Sequence, residues 1–592
     1  MKNPLDLPIK NKLIKFLIEK LTKLDDIKTI YQNWLDEPSN QHGTDGQGLL
    51  DSGLSYLDAT LEIINQQNLD AIPASGATVF VANHPLGGLD GMLLTQMLLK
   101  IRPDLKVLTN EVLLTFPEFS DLFIGVDVLN KNKQKQNAKG ILSLSRHLAA
   151  GGAALIFPAG IVSELRLKDF SIHDRPWDPM VARLIKKHHA HCLPIYVDAR
   201  NSYPFYLSAF IHKRLRTALL GRAMLAKKHC RIKAIIGNII EYKDFQHTKD
   251  IQSITEYLKL CCQSLKYNHN ETDDQSIKQQ RKLENIKQDI ALENILAQHE
   301  ILKEYQLLEY KSMAVYCAPH AKLGTIMEQI AITRERTFRA VDEGTGKELD
   351  SDIYDPYCWH LWVWDNDKNL IVGGYRLSKV DEVINNYGLK KLHSHSLYNY
   401  DRAFIRSLRH SVEVGRSFVA PEYQRHPRAL DLLWKGIGVY MLNNPNYHTL
   451  FGGVSISQQY SNLARALLAD TLTYHYAADE SISRHISPRK PLSIQNKPWS
   501  HKLLPSLSKI PIINKLLGTI DSGKTIPILI RHYLALNGKF ITFSINESFN
   551  KSLDGLILVD LRKSPDKYLA RYLGVNGTKE FKKTWEIHKN AA

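Results

Sequence analysis

The feature that most constrains this fold is a polar stretch over 266–305 that contains no proline and no glycine. It separates two regions in which helical apolar spacing alternates with short apolar runs. Such alternation predicts α/β domains, because each run is strand length and each intervening segment is helix length. In the first region, about 50 to 245, the runs fall at 78–82, 106–108, 153–157, 193–197 and 233–236. In the second, from about 311, they fall at 360–364, 370–375 and 450–456. After a loop near 268–272, the spacing predicts a helical connector over 277–305. A chain of 592 residues exceeds what one core usually holds. The expected organisation is amphipathic N-terminal helices (1–49), an α/β domain (50–265), a polar helical linker (266–310), a second α/β domain (311–480) and its C-terminal extension (481–592).

Charge narrows the partners. Lys and Arg number 77 against 61 Asp and Glu, a formal +16. That excess favours an anionic membrane surface or an acidic carrier protein. No basic run interleaved with aromatics and no zinc-finger spacing occurs, so no nucleic-acid partner is expected. Cys192, Cys230, Cys261, Cys262, Cys317 and Cys358 suit neither a disulfide framework nor a CxxC site, which points to a reducing compartment. The start Met1-Lys2-Asn3-Pro4 opens no signal-peptide pattern, and no apolar stretch of about 18 residues predicts a spanning helix. Residues 13–24 have helical apolar spacing with Lys15, Lys20 and Lys23. They suit a membrane interface or a helix packed on its own domain. His188-His189-Ala190-His191 lacks an i, i+4 pair and an acidic ligand, so no metal is expected there. Gly344-Thr345-Gly346-Lys347 lacks the upstream glycine and following Ser or Thr of a phosphate loop.

Chemistry concentrates first at Asn83-His84-Pro85-Leu86-Gly87-Gly88-Leu89-Asp90, just after the 78–82 run. A histidine with a nearby carboxylate is a general-base pair: the carboxylate fixes the ring and favours the imidazolium that forms. Three further segments follow: 123–131 with Lys131, then Phe157-Pro158-Ala159-Gly160-Ile161-Val162-Ser163, then the strand-like 193–197 containing Pro194. Their order and spacing resemble the motif blocks of the glycerolipid acyltransferases, the superfamily of 1-acylglycerol-3-phosphate acyltransferase. The resemblance covers about 50 to 245. It implies that His84 deprotonates an acceptor hydroxyl, that Asp90 orients it, and that the hydroxyl attacks an acyl thioester. It places Asn83, Gly87, Gly88, Lys131, Phe157, Pro158, Gly160, Ser163 and Pro194 at the substrate. Backbone amides at Gly87 or Gly160 are the candidates for an oxyanion site. The chain departs from the family in three ways. Five residues separate His84 from Asp90 instead of four. Phe-Pro-Glu-Gly-Thr-Arg-Ser becomes Phe-Pro-Ala-Gly-Ile-Val-Ser, and the arginine of the second block becomes Lys131. Lysine does not reproduce bidentate recognition of phosphate, so an ordinary glycerol phosphate is not the expected acceptor. The string is similar to the branch that handles aminolipids.

A second constellation runs from Arg336-Thr337-Phe338-Arg339 through Asp350, Asp352 and Asp355 to His360-Leu361. It continues with Gly373-Gly374-Tyr375-Arg376, then Glu413-Val414-Gly415-Arg416 and Leu433-Trp434. This ordered set, over about 311 to 470, resembles the N-acyltransferases of ornithine-lipid and glycine-lipid synthesis. Those are acyl-carrier-dependent relatives of the GNAT fold. Residues near 529–534 and 548–550 are similar to the same family's C-terminal extension. The resemblance implies transfer of a 3-hydroxyacyl group from acyl carrier protein to the α-amino group of an amino acid. Glu413 is the candidate base, directly or through a water. Arg336, Phe338, Asp350, Asp352, Arg376 and Arg416 are candidates for substrate binding or an ion-pair network.

Together the two regions resemble bifunctional ornithine lipid synthases: the C-terminal domain makes a 3-hydroxyacyl amino acid and the N-terminal domain esterifies its hydroxyl. The partners so implied are acyl carrier protein, an amino acid, the lyso-aminolipid and an anionic membrane surface. The expected location is the inner face of the bacterial inner membrane, peripherally bound from the cytoplasm. No metal or bound cofactor is implied; the acyl thioester is a substrate. The alternatives are a lysophospholipid acyltransferase with an accessory GNAT domain, and a hemolysin-like membrane-active protein.

Overall fold

Strands buried on both faces form the centre of the first unit of the computed structural model. The structure describes residues 11–36, 45–127, 134–166, 170–211, 216, 218–246, 248–274, 283–494 and 497–591. They fall into two units, 1–276 with 498–522 and 277–497 with 523–592. In the first, the strands are β1 (Thr60–Ile64), β2 (Thr78–Ala82), β3 (Lys106–Asn110), β4 (Phe123–Val126), β5 (Ala153–Ile156), β6 (Glu164–Arg166), β7 (Ser171–His173), β8 (His191–Asp198) and β9 (Arg231–Ile236). The sheet order is β1-β9-β8-β2-β5-β3-β4, with β6 and β7 a separate hairpin. Strands β8, β2, β5, β3 and β4 are mutually parallel; β9 runs antiparallel to β8 and carries β1 parallel to itself. Every residue of β2 and β5 is buried, which is why, Thr78 apart, these strands read as apolar runs.

Parallel register has a direct consequence for the site. Val81 pairs with Ile156 on one side and Pro194 on the other. The residues that follow β2, β5 and β8 therefore leave the sheet at one edge, the carboxyl ends where α/β sheets bind ligands. The helix Gly88–Leu99 begins just after this edge and buries Leu89, Leu93, Leu94 and Leu98 in the core with Phe80, Leu155 and Leu193.

The C-terminal extension divides. Within 498–522, the helix Ile510–Ile520 buries Ile512, Ile513, Leu516, Leu517 and Ile520 and packs against the helix Ile251–Asp274 of the first unit. An ion pair between Lys515 and Asp244 fastens it. The expected helix over 277–305 is also shorter than its composition suggests. Residues 283–291 form no regular element, and among the described residues of this stretch only Leu292–Ile301 is α-helical. Glu284 N donates to Gly346 O and Lys287 N to Glu348 O at 2.9 Å each, and Ile290 N donates to Gln329 Oε1 at 2.9 Å. Tertiary hydrogen bonds here replace the local helical ones.

The second unit holds β10 (Gln306–Tyr310), β11 (Met313–Pro319), β12 (Trp359–Asp365), β13 (Leu370–Lys379), β14 (Tyr398–Tyr400), β15 (Ser411–Val419), β16 (Thr449–Ile456), β17 (Ile486–Pro488), β18 (Lys539–Asn546) and β19 (Ser552–Asp560). Its main sheet runs β10-β11-β12-β13-β15-β16-β19-β18, with β14 and β17 paired apart. One neighbouring pair, β15 with β16, is parallel; the others are antiparallel. That pair joins only through Ser411, Val412 and Glu413 against Thr449, Leu450 and Phe451. Beyond Glu413 the two strands part. At the parting, the β13–β15 register slips between Gly374 and Arg376, and Arg416 takes φ 49°. A non-glycine residue in that region is strained and marks a bulge that re-aims a side chain. Among the described residues, no helix is long and apolar enough to cross a membrane.

Candidate active sites

In the first unit the extra residue between His84 and Asp90 does not separate them. Gly87 takes φ 85° and ψ −112°, turning the chain into the helix Gly88–Leu99, so Asp90 stands in the helix's first turn. Its Oδ1 lies 3.0 Å from His84 Nδ1, off the direction of a straight N–H bond. Such contacts align when substrate binds. Asp90 is wholly buried, and Leu86 N and Gly91 N donate to its two oxygens at 2.8 Å each. It is the φ of 85° that calls for glycine here; a Cβ would also press on the ends of the Leu220 and Val162 side chains.

Of the other predicted residues, Phe157 and Ser163 contact His84 itself. Phe157 packs against His84, the rings tilted by 33° with centroids 4.2 Å apart. Gly160, at φ 69°, closes the turn by donating to Phe157 O at 2.9 Å. The Pro158 carbonyl accepts from Asp178 N, and Gly88 faces Met224. Asn83 uses its whole amide on Val197, donating to its carbonyl at 2.9 Å and accepting from its N–H at 2.6 Å. It therefore ties the histidine loop to β8. Pro194 sits inside β8, where its carbonyl accepts from Gly237 N, away from the strand ends. Lys131 lies outside the described residues.

Sequence reasoning missed Asp174. This buried carboxylate accepts from Ser163 Oγ at 2.7 Å and Trp177 Nε1 at 3.2 Å, and the His84 N–H lies 3.5 Å away. Ser163 N in turn donates to His84 O at 3.0 Å. Burial works against a charged His84, but the carboxylates of Asp90 and Asp174 outweigh it and leave the pKa above its ordinary value. The arrangement can take a proton from a hydroxyl and stabilise the resulting imidazolium.

In the second unit a cavity of about 60 Å³ opens where β15 and β16 part. Phe338, Arg376, His393, Glu413, Arg416 and Asp554 are among its walls. Behind it, three arginines and three aspartates interlock. Arg334 meets Asp350 at 3.2 Å and Asp355 at 3.0 Å; Arg376 meets Asp352 at 2.7 Å and Asp355 at 3.1 Å. Arg416 meets Asp350 and Asp352 at 3.0 Å each. The neighbouring guanidinium groups hold Asp352 and Asp355 far below the usual carboxylate range against the opposing effect of burial. Arg334 was not foreseen, whereas Arg336, two residues on, points outward to Asp289 at 3.2 Å and takes no part.

Glu413 is positioned by two backbone donors, His393 N at 3.1 Å and Ser394 N at 2.7 Å. Burial raises its pKa. Asp554 accepts from Ser552 Oγ at 2.7 Å and Asn546 Nδ2 at 2.9 Å, and burial raises it too. Burial also pushes Glu343 up to about 8. Burial with Arg376 and Arg416 pushes His393 down to about 3, which keeps its ring neutral. Three arginines are thus matched by three aspartates, while Glu413 and Asp554 take neutral donors as their hydrogen-bond partners and feel Arg376 and Arg416, respectively, only through space. Phe338 is core as well as wall, edge-on to Phe549 at 4.9 Å. Among the described residues no cluster suits a metal ion.

These folds and sites define an acyltransferase of aminolipid or lysophospholipid type that carries a GNAT domain. Residues 58–266 match the acyltransferase family model and residues 333–435 the acetyltransferase (GNAT) domain model. Glycine N(alpha)-acyltransferase from Phocaeicola vulgatus is 30% identical over 275 residues, which is 44% of this chain and 83% of that protein. The chain belongs to the family of that enzyme. Lyso-glycine lipid O-acyltransferase from the same organism is 29% identical over 234 residues, 38% of this chain and 79% of that protein. Among solved structures, the 1-acyl-sn-glycerophosphate acyltransferase from Thermotoga maritima matches with a TM-score of 0.25 at 12% identity, over 46% of this chain and 99% of that one.

Proposed function

We propose that the chain performs two successive acyl transfers that build an aminolipid. In the GNAT domain, the α-amine of an amino acid attacks the thioester carbonyl of a 3-hydroxyacyl group carried by acyl carrier protein. Glu413 takes the ammonium proton, directly or through a water; the C–N bond forms, the C–S bond breaks, and the thiol leaves protonated. In the N-terminal domain, His84 removes the proton of the resulting 3-hydroxyl, which attacks a second acyl thioester. Asp90 and Asp174 stabilise the imidazolium until it returns its proton to the leaving thiol.

The observation that carries the first step is the charge balance of the second cavity. Its arginines are already neutralised, and Glu413 and Asp554 meet no cation among their hydrogen-bond partners. A buried carboxylate with no cation in hydrogen-bond contact favours a substrate that brings one. Two such carboxylates favour ornithine, with two ammonium groups, as the acceptor. Glycine is the second reading, because the similar enzymes are named for it. The protein works as a peripheral enzyme on the inner face of the inner membrane, where its +16 formal charge attracts acidic acyl carrier protein and anionic lipid. Purified protein given 3-hydroxyacyl carrier protein with ornithine or glycine tests the reading. Faster N-acylation of ornithine supports it; acylation of glycine alone establishes the second reading; acylation of neither, with esterification of lysophosphatidic acid instead, replaces both.

A further inference from the structure

The helix Tyr203–Ile211 begins five residues after β8 ends and carries no charged residue in its nine positions. Its inner face buries Phe205 and Tyr206 with Val162 and Leu165. Its outer face is also apolar: Tyr203, Leu207 and Phe210 are 47%, 48% and 55% exposed. The spacing i, i+4, i+7 places these three on one stripe. A soluble surface helix turns charged or polar residues outward, and this one does not. Beside it, in the loop joining β6 to β7, Phe170 is 70% exposed. The hairpin and the helix share one apolar cluster through Leu165, Ile172 and Phe205.

This surface is joined to the histidine. Tyr206 Oη accepts from Asn201 N at 3.0 Å, and Asn201 Nδ2 donates to the Pro85 carbonyl at 3.1 Å. Val162 and Leu220 of the same cluster close on Gly87. Basic residues flank the helix in sequence: Arg200 before it, its guanidinium 5.6 Å from the Tyr203 ring, and Lys213 and Arg214 after it. An uncharged aromatic stripe between basic flanks matches a bilayer interface with anionic head groups.

We propose that the outer face of the helix Tyr203–Ile211, with Phe170, docks the first unit on an anionic bilayer, so that a lipid acceptor reaches His84 from the membrane plane. The inference rests on the reading of the His84 acceptor as a lyso-lipid. The test is co-sedimentation of the full chain with phosphatidylcholine vesicles, with and without phosphatidylglycerol. The variants are Leu207→Ser/Phe210→Ser and Phe170→Ser, all at exposed positions. Wild type should bind the anionic vesicles more tightly, and the double variant should bind at least about tenfold more weakly. N-acylation by the second unit reports that each variant is folded. With a short-chain, water-soluble lyso-acceptor the variants should keep O-acylation, and with vesicle-borne acceptor they should lose it. Unchanged vesicle binding by the double variant overturns the proposal, as does a wild type that binds neither vesicle. Loss of self-association in the variant with unchanged vesicle binding assigns the stripe to a second copy of the chain and overturns it equally. Vesicle binding by a wild type that acylates no lipid acceptor sinks the proposed reaction and leaves docking standing.

Discussion

Replacing Asp90 by asparagine tests whether the His84 pair does the chemistry assigned to it. Asp90 is wholly buried, and its oxygen stands 3.0 Å from His84 Nδ1. At that distance and an effective dielectric of about 20, the attraction between carboxylate and imidazolium is roughly 5 kcal/mol. Asparagine keeps the shape and an acceptor oxygen for Leu86 N or Gly91 N but removes the charge that stabilises the protonated ring. Part of the lost attraction is offset, so kcat/KM for O-acylation should fall by about 10²–10⁴-fold. N-acylation in the other unit should be unchanged. The pH profile gives the sharper reading. In the wild type the carboxylates raise the His84 pKa, so the ring becomes a free base only above its ordinary titration range. Removing Asp90 lowers that pKa, and the acid limb of kcat/KM should move to lower pH even as the plateau falls. The assay is O-acylation of a purified 3-hydroxyacyl amino acid across pH, with thermal unfolding as the control for structure. Full activity in Asp90→Asn would refute the reasoning; so would a lower plateau with an unmoved acid limb, because Asp90 would then only shape the loop.

Four further outcomes follow from the same geometry. Asp174→Asn should also move the acid limb to lower pH, but with a smaller loss of plateau, since Asp174 reaches the backbone of His84 rather than its ring; an unmoved limb in a pH-rate series counts against its electrostatic role. Glu413→Gln should cut N-acylation by about 10²–10⁴-fold while leaving O-acylation of a supplied lyso-lipid intact; because burial raises the Glu413 pKa, wild-type N-acylation should fade on the acid side above the ordinary carboxylate range, as a pH-rate profile would show. Arg334→Met leaves Asp350 and Asp355 buried without one of their cations and should cost about 3–5 kcal/mol in denaturant unfolding of the second unit. Asp352 and Asp355 titrate below their unfolded value, so their stabilisation is complete above about pH 4 and should be lost as pH falls further, which an acid titration followed by circular dichroism would read.

Strand positions in the first unit were legible because β2 and β5 are buried on both faces and are apolar at every residue but Thr78. The His84–Asp90 pair was legible because both members lie within one turn and the start of one helix. The exposed edge strand β1 was not, since only Ile63, Ile64 and Leu61 are apolar and none is fully buried. Arg334 was overlooked in favour of Arg336 for a geometric reason. Arg334 and Arg336 are two positions apart on the helix Thr325–Arg339, about 200° around its axis, so one faces the aspartates and the other Asp289. Sequence proximity gave no means to choose between them. Asp174, Glu343 and Asp554 left no local signature, because what defines each is a contact with residues distant in the chain. The 283–291 segment reads as helical by composition, yet its backbone bonds go to Gly346, Glu348 and Gln329. Propensity is a local quantity and does not contain those partners.

The central claim is that one chain carries two distinct acyl transfers in sequence. Lipid mass spectrometry of a bacterial host without aminolipids, expressing wild type, His84→Ala or Glu413→Gln, tests it most directly. The account predicts a diacylated amino-acid lipid from wild type, its mono-acylated precursor from His84→Ala, and neither from Glu413→Gln. Fully acylated lipid in the His84→Ala strain at wild-type level, with the variant protein verified as expressed, would contradict it.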